Sequence, residues 1–252
     1  MTTKTQDETA GGGFHDSLSG RVVAVIGGSS GIGFEVARFA KARGAEVLIA
    51  GRSEDKLEAA ARALGGVQAA VADIADEPAV SRVFDGQPRI DHVFVAAGGL
   101  TAGAVLTTDL RVFRRGVDER IWGALHVIRA AAPKMGAGAS ITLMSGVRAE
   151  RPAPGISMTT ALVAAVEGLT LALALELAPI RVNAVAPGWV DTPLVRGLLG
   201  DSTDSVLKSE AAKLPLRRVG EPRDIAEAVL FLMTNGYTTG EILHVDGGGR
   251  LI

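Results

Sequence analysis

The sequence predicts a doubly wound α/β fold, in which helices cover both faces of one parallel sheet of about seven strands. Three observations predict it. Short β-branched runs are apolar throughout, as the strands of buried parallel sheets are. Alanine-rich amphipathic stretches separate these runs, and right-handed crossovers then wind the sheet in both directions. The 252 residues contain no linker, composition break or internal repeat, so residues 20–252 are predicted to form one domain.

Each element follows from the local pattern. Strands are expected at Val22–Ile26, Val47–Ala50, Val67–Ala72, His92–Ala97, Ser140–Met144, Arg181–Ala186 and Ile242–Val245. Helices are expected near residues 32–43, 54–64, 76–84, 108–134, 156–178 and 222–233. Residues 1–19 are polar and glycine-rich, so they are predicted to form a disordered extension. The segment Thr192–Leu214 has Gly and Ser breaks and is expected to form a mobile substrate lid.

Composition argues against several classes of protein. The formal net charge is −2, so no basic field indicates a nucleic-acid partner. The absence of cysteine excludes disulfides, a thiol nucleophile and zinc–thiolate sites, and no His, Asp or Glu spacing suggests a metal. The N-terminal residues resemble neither a signal peptide nor an anchor, so a cytoplasmic location is expected.

One apolar stretch, Thr160–Ala178, is nearly long enough to span a membrane. It carries Glu167 and Glu176 and lies between strand-like segments. A helix that is apolar almost all round is more often buried in a core or a subunit interface. We therefore expect no membrane partner.

A glycine-rich turn follows the first predicted strand and opens a helix: Gly27-Gly28-Ser29-Ser30-Gly31-Ile32-Gly33. Glycines here allow a sharp turn and let the backbone approach a pyrophosphate. The amides at the start of the helix supply the anion site. Because the turn stands in this strand–helix context, it indicates a Rossmann-type dinucleotide site.

The second strand ends in Gly51-Arg52-Ser53, with no carboxylate at its tip. NAD-binding sites usually place an acid there to accept the ribose hydroxyls. Gly51 leaves out the charge that would repel a 2′-phosphate, and the guanidinium of Arg52 can bind it. We therefore predict NADP(H) in preference to NAD(H), the alternative being that Arg52 is a solvated loop residue.

The glycine-rich turn and three later motifs resemble those of the short-chain dehydrogenase/reductase family, and the resemblance covers residues 20–252. They are Gly27-x-x-x-Gly31-Ile32-Gly33, Asp73-Ile74, Arg181-Val-Asn-Ala-Val-Ala-Pro187-Gly188-Trp-Val190-Asp-Thr192, and Thr239-Gly240-Glu-Ile-Leu-His-Val245-Asp246-Gly247-Gly248. The resemblance implies adenine contacts at Asp73 and Ile74. It implies that Pro187, Gly188, Val190 and Thr192 pass the nicotinamide, with small residues, Ala97 and Gly98, beside the cofactor. It also implies a homodimer or homotetramer, formed through the helices at 121–134 and 160–178.

The family's chemical motif is replaced. Its Tyr-x-x-x-Lys pair, in which the tyrosine passes a proton to or from the substrate oxygen, falls on Thr159 and Val163. The single tyrosine, Tyr237, lies near the last strand, and no lysine occurs between Lys134 and Lys208. The family's serine position falls on Gly146, one residue after Ser145, and its asparagine position falls on Arg120.

Three residues are therefore candidates for catalysis. Arg120 shares an apolar helical stripe with Ala124, Val127 and Ala131, where it could either stabilise a developing oxyanion or pair with a carboxylate. Ser145 and Thr159 could orient a substrate oxygen or relay a proton through water, or they could cap a strand end and a helix start. The nearby Arg148 and Arg151 favour an anionic small-molecule substrate, unless they are solvated loop charges.

Three functions are consistent with this pattern. The first is an NADP(H)-dependent oxidoreductase with a non-standard site, acting on a small carbonyl, enone, imine or quinone-like substrate. The second is a catalytically inactive NADP(H)-binding module that serves as a sensor or partner subunit. The third is a non-redox enzyme on the same scaffold, because fold does not dictate chemistry.

Overall fold

A computed structural model of the chain describes residues 18–252. Seven parallel strands form one sheet in the order β3-β2-β1-β4-β5-β6-β7. The strands are β1 Val22–Ile26, β2 Glu46–Gly51, β3 Gln68–Val71, β4 His92–Val95, β5 Ser140–Met144, β6 Arg181–Pro187 and β7 Ile242–Val245. The predicted fold class is confirmed, and each predicted strand end lies within two residues of the observed one.

The helices alternate with the strands: α1 Gly31–Ala42, α2 Glu54–Ala63, α3 Glu77–Asp85, α4 Leu110–Val117, α5 Gly123–Ala131, α6 Ser157–Glu176, α7 Pro193–Leu199, α8 Thr203–Lys213 and α9 Pro222–Thr234. The predicted lid segment contains α7 and α8.

The prediction of one continuous helix over residues 108–134 is wrong. A π-helical segment, Asp118–Trp122, separates α4 from α5, and the amide of Gly123 bonds back to the carbonyl of Asp118. A short 3₁₀ turn at Ala132–Lys134 ends the unit. Hydrophobic periodicity does not register the one extra residue in a π turn, and such turns are frequent at functional sites.

The core lies in two layers, one on each face of the sheet. On β1, Ala24 and Ile26 pack toward α3, α5 and α6, whereas Val23 and Val25 pack toward α1, α2 and α9. All four side chains are at most 4% exposed. Because successive strand residues point to opposite faces, this arrangement requires the uninterrupted apolar runs from which the fold was predicted.

Helix α6 is long and apolar enough to cross a membrane by length and composition, and 33% of its apolar window is buried in the fold. Leu162, Val166 and Leu173 lie on its buried side. Leu171 and Leu175 lie on its outer side, with exposures of 54% and 84%. The helix packs against β6, so it is an integral part of the α/β layer structure.

The predicted N-terminal extension lies outside the described residues, except for Leu18 and Ser19. Leu18 is 2% exposed and belongs to the core beside α1, and its amide bonds to the carbonyl of Arg43 at 2.9 Å. The packed part of the chain therefore includes Leu18, two residues before the predicted start of the domain.

His92, at the start of β4, is a buried titratable group far from the carboxyl ends of the strands. Its side chain is 5% exposed overall, and Nδ1 lies 2.9 Å from Ser140 Oγ. Burial lowers the pKa of His92 to about 4. The positive charges of Arg181 and Arg21 act in the same direction, and Asp91 opposes them.

We predict that acidification destabilises the protein through His92. An unfolded histidine titrates near pH ~6.5, so between that pH and about 4 the unfolded state binds more protons than the folded state. The free energy of unfolding should fall by about 2–3 kcal/mol from pH 7 to pH 4.5 through this group alone. Urea unfolding at a series of pH values measures this free energy. In His92→Asn it should depend less on pH, and an equal pH dependence in both proteins would contradict the role given to His92.

Candidate cofactor and active site

A cavity of about 460 Å³ opens at the carboxyl ends of the central strands. The chain runs outward from β1 to β3 in one direction and then returns to β4 on the other side of β1. In open α/β sheets, ligands bind in the crevice at such a switch point. The topology therefore places the cavity where a dinucleotide site is expected.

The predicted glycine-rich loop forms one wall of this cavity. The residues in contact with it are Gly27, Ser29, Ser30, Gly31, Ile32 and Gly33. Gly27 adopts φ +91°, a conformation that L side chains rarely adopt. A β-carbon on Gly33 would lie 2.1 Å from the carbonyl oxygen of Gly27. The loop is thus a cradle that side chains would fill, and the first amides of a helix in such a position are a common place for anions to bind.

The end of the cavity beside β2 and β3 contains Gly51, Arg52 and Ile74. The side chain of Arg52 is 65% exposed, and its Nη1 lies 3.1 Å from Glu119 Oε1. The sequence around Arg52 contains no carboxylate at the tip of β2, but the fold brings the carboxylate of Glu119 to it.

Two residues predicted to bind the cofactor here, Ser53 and Asp73, do not line the cavity. The hydroxyl of Ser53 caps α2 by accepting from the amide of Lys56. Asp73 pairs with Arg115 at 2.6 Å. Burial on its own raises the pKa of the Asp73 carboxyl, but the guanidinium of Arg115 and the amide of Ala75 outweigh it, and the pKa lies below its usual value.

The remaining residues predicted to bind the cofactor also line the cavity: Ala97, Gly98, Pro187, Gly188, Val190 and Thr192. Gly188 leaves no room for a side chain, since a β-carbon there would lie 2.8 Å from Asp246 Cα. Thr192 caps α7 by accepting from the amide of Val195 at 3.3 Å. Small residues and backbone groups thus form this part of the wall.

Arg120, on the π-helical segment, is 9% exposed and lines the cavity. Its guanidinium donates to the carbonyls of Met144 at 3.0 Å, Gly98 at 3.2 Å and Gly99 at 3.1 Å. The carboxylate partner that the sequence left open is thus replaced by backbone carbonyls. Burial lowers the pKa of Arg120, and the nearby Glu119 acts in the opposite direction. Arginine stays charged in proteins, so three carbonyls share one buried positive charge.

The hydroxyls of Ser145 and Thr159, both residues of the cavity lining, are already hydrogen-bonded to protein groups. Ser145 donates to Glu167 Oε1 at 2.7 Å. Thr159 donates to the carbonyl of Thr101 and accepts from its amide, each at 3.1 Å. The structure thus brings all three catalytic candidates to one cavity, with their polar atoms engaged by the protein.

Sequence reasoning did not find the partners Glu119, Arg115 and Glu167. Arg115 and Glu119 are spaced i, i+4 on one helical stretch, and this charge pattern could have indicated an ion pair. Glu167 stands among apolar residues of α6, one turn beyond Val163, which indicates a buried partner. Neither signal reveals which distant strand end the carboxylate reaches.

Another part of the cavity lining consists of larger apolar side chains: Leu100, Ile156, Trp189, Leu194 and Leu198. Arg148 is the cation there; its guanidinium lies 5.7 Å from the centre of the Trp189 ring and donates to the carbonyl of Arg151. Arg151 itself is not part of the lining, and Tyr237 is fully exposed elsewhere. Within residues 18–252, no group of three or more His, Asp or Glu side chains could hold a metal ion.

The chain matches, over residues 26–249, the family model described as enoyl-(acyl carrier protein) reductase. It is 35% identical to the short-chain dehydrogenase/reductase malC of Malbranchea aurantiaca over 252 aligned positions, which cover 92% of this chain and 96% of the relative. The structure of that organism's MalC reductase/Diels-Alderase has a TM-score of 0.89 and 33% identity, covering 94% of this chain and 99% of the other. A small-chain dehydrogenase in complex with NADPH has a TM-score of 0.81 and 34% identity, covering 92% and 99%.

The sheet, the glycine cradle and the cavity at the switch point define a dinucleotide-binding α/β protein. The family match extends over most of the chain, and full-length relatives share a third of its residues. The chain therefore belongs to the short-chain dehydrogenase/reductase family, an oxidoreductase family that uses nicotinamide cofactors.

We predict that Arg120→Met destabilises the protein by about 2 kcal/mol or more, because it leaves three carbonyls without their charged donor. Chemical denaturation measures the change. Arg129→Met is the matched control. The Arg129 side chain is 77% exposed and its ion pair with Glu77 is long, at 3.7 Å, so its loss should change stability by no more than about 0.5 kcal/mol. Equal effects of the two substitutions would show that the buried hydrogen bonds of Arg120 contribute nothing special.

Proposed function

We propose that the protein is an NADP(H)-dependent oxidoreductase with a non-standard active site, in which residues 20–252 act as one domain. The observation that carries this proposal is the glycine cradle at the start of α1, with an arginine at the tip of β2 in the same cavity. The NADPH complex of a relative with 34% identity supports the choice of cofactor. The substrate is a small carbonyl, enone, imine or quinone-like molecule.

The chain's residues fit a dinucleotide along the whole cavity. The amides of the loop and of α1 would hold the pyrophosphate, because side chains are absent where it must approach. Arg52 would bind a 2′-phosphate with its exposed guanidinium. When bound, the nicotinamide supplies or accepts the hydride.

At the reacting end, Arg120 acts as a positioning residue. Its three hydrogen bonds hold the loop after β4 against the end of β5, and both border the nicotinamide end of the cavity. Ser145 and Thr159 shape the same wall through Glu167 and Thr101. Thr159 and Val163 stand where the family carries its tyrosine and lysine, so a substrate that needs little protonation by the protein fits best. Conjugated C=C bonds, imines and quinones meet this condition better than unactivated ketones.

The substrate mouth favours an apolar molecule with an anionic group. Leucines and Trp189 supply apolar contact, and Arg148 supplies one positive charge beside the indole ring. A carboxylate on the substrate could reach this guanidinium while its apolar body lies against α7.

We further propose a cytoplasmic homodimer or homotetramer without a nucleic-acid or membrane partner. Trp122 and Leu171 are each 54% exposed and Leu175 is 84% exposed. They lie on or beside the helices that the family resemblance assigns to subunit contacts. A second copy of the chain would remove this apolar surface from water.

The alternative is a catalytically inactive NADP(H)-binding module. One observation favours it: the hydroxyls of Ser145 and Thr159 and the guanidinium of Arg120 are all occupied by protein groups. Under this alternative the cradle and Arg52 still bind the cofactor, but no substrate oxidises it.

Fluorescence titrations with NADPH and NADH test the cofactor assignment. Arg52→Ala should weaken NADPH binding about tenfold, which corresponds to about 1.4 kcal/mol, and leave NADH binding within about twofold. Arg62→Ala is the matched control, because Arg62 is exposed on α2 and pairs with Glu58 outside the cavity. Failure of the wild-type protein to bind either nucleotide would contradict both the oxidoreductase and the binding module.

Steady-state oxidation of NADPH then separates the two candidates. The oxidoreductase proposal expects turnover with at least one activated enone, imine or quinone, and faster turnover than with a matched saturated ketone. Tight NADPH binding without oxidation across all four substrate classes would favour the binding module instead.

A further inference from the structure

Four charged side chains meet at the end of the cavity where the proposed function places the adenosine half of the cofactor. Arg52 follows β2, Asp73 follows β3, and Arg115 and Glu119 lie on α4 and the π-helical segment. Arg52 contacts Glu119 at 3.1 Å, and Arg115 joins Glu119 at 2.8 Å to Asp73 at 2.6 Å. Two positive and two negative charges thus form one connected group.

Glu119 is the centre of this group and the least exposed of its four members, with a side chain that is 12% exposed. Its Oε1 accepts from both arginines, and its Oε2 accepts from the amide of Gly99 at 3.3 Å. Three hydrogen bonds therefore hold the carboxylate, whereas Arg52 is 65% exposed and has solvent beside it into which its side chain can turn.

The ion pair between Arg52 and Glu119 crosses the cofactor cleft. Strand β1 lies between β2 and β4, so a contact from the tip of β2 to a residue bonded to Gly99 after β4 passes over the carboxyl end of β1. The glycine cradle begins at that same strand end. Both partners of the ion pair line the cavity, and the adenosine end of a dinucleotide must occupy this region.

The two nicotinamide dinucleotides present opposite groups to such a pair. A 2′-phosphate is an anion, which is attracted by Arg52 but repelled by Glu119, and it must compete with that carboxylate for the guanidinium. A 2′-hydroxyl can donate a hydrogen bond, and a carboxylate is a good acceptor for it. Arg115 offers no replacement cation, because it is already held between Asp73 and Glu119.

We propose that Glu119 is a specificity-determining residue that restrains Arg52 and thereby lowers the preference for NADPH over NADH. This inference rests on the proposed role of Arg52 as the ligand of the 2′-phosphate. The sequence alone predicts a simple NADP(H) site; with Glu119 in place, the site admits both nucleotides and NADPH binding carries the cost of separating the ion pair.

The test is Glu119→Gln, which keeps the shape and an acceptor for the Gly99 amide but removes the charge. Because exposed ion pairs contribute up to about 1 kcal/mol, NADPH should bind about fivefold more tightly to the variant. NADH should bind with equal or lower affinity. Fluorescence titrations of wild type, Glu119→Gln, Arg52→Ala and the double variant give a cycle. The gain for NADPH must be clearly smaller when Arg52 is absent, because only the direct repulsion between Glu119 and the phosphate is then relieved.

Glu58→Gln is the matched control, since it removes the carboxylate of another arginine pair, on α2 and outside the cavity. It should leave both affinities unchanged. Thermal unfolding checks that each variant folds. Should Glu119→Gln not fold, Glu119→Asp keeps the charge but draws it back from Arg52, and a smaller gain for NADPH is expected.

Two outcomes distinguish this inference from the proposal on which it rests. An unchanged NADPH-to-NADH ratio in Glu119→Gln, with NADPH still weakened by Arg52→Ala, would overturn the role of Glu119 and leave the cofactor assignment standing. NADPH affinity that is insensitive to Arg52→Ala would overturn the cofactor assignment itself, and the role of Glu119 with it.

Discussion

Helix α1 begins in direct contact with the loop that leaves β1, and a β-carbon on Gly33 would lie 2.1 Å from the carbonyl oxygen of Gly27. This close approach is possible only because Gly33 lacks a side chain, and a β-carbon on Gly27 would lie 2.8 Å from the amide nitrogen of Ala97. The close approach brings the first amides of the helix to the switch point of the sheet, where we propose that they bind the pyrophosphate of the cofactor. Arg52, Arg120, Ser145 and Thr159 line the same cavity as this loop.

A second feature of the cavity is the buried positive charge of Arg120, which is hydrogen-bonded to backbone carbonyls. Arg120 lies on the π-helical segment and shares its guanidinium among the carbonyls of Gly98, Gly99 and Met144. A buried guanidinium without partners would be costly, so these bonds offset its desolvation. They also join the loop after β4 to the end of β5. In the proposed enzyme these bonds hold the reacting end of the cavity in place, at the position where the family resemblance leads us to expect an asparagine.

The electrostatics of the two ends of the cavity differ. At the proposed adenosine end, exposed Arg52 shares the carboxylate of Glu119 with Arg115, and Asp73 completes a group of two positive and two negative charges. At the proposed substrate end, Arg148 lies among apolar side chains, with its guanidinium 5.7 Å from the centre of the Trp189 ring. A balanced group can exchange partners with a ligand at small cost, whereas an isolated cation attracts an anion. This difference is why cofactor choice and substrate charge are separate questions in this protein.

The sequence by itself determined the fold and most of the cofactor cradle. Apolar strand runs indicate burial on both faces of the sheet. The glycines at 27, 31 and 33 indicate a tight turn of the local backbone, so both features can be predicted without knowing which distant residues come close. It also brought Arg120, Ser145 and Thr159 into consideration. Only the tertiary structure decided what those side chains do. Arg120 bonds to Met144, Ser145 to Glu167, and Arg52 to Glu119, pairs that are 24, 22 and 67 residues apart. Which groups form hydrogen bonds depends on the distances between strand ends and helices in the folded chain. The π turn places Glu119 and Arg120 at the cavity, and hydrophobic periodicity does not reveal such a turn.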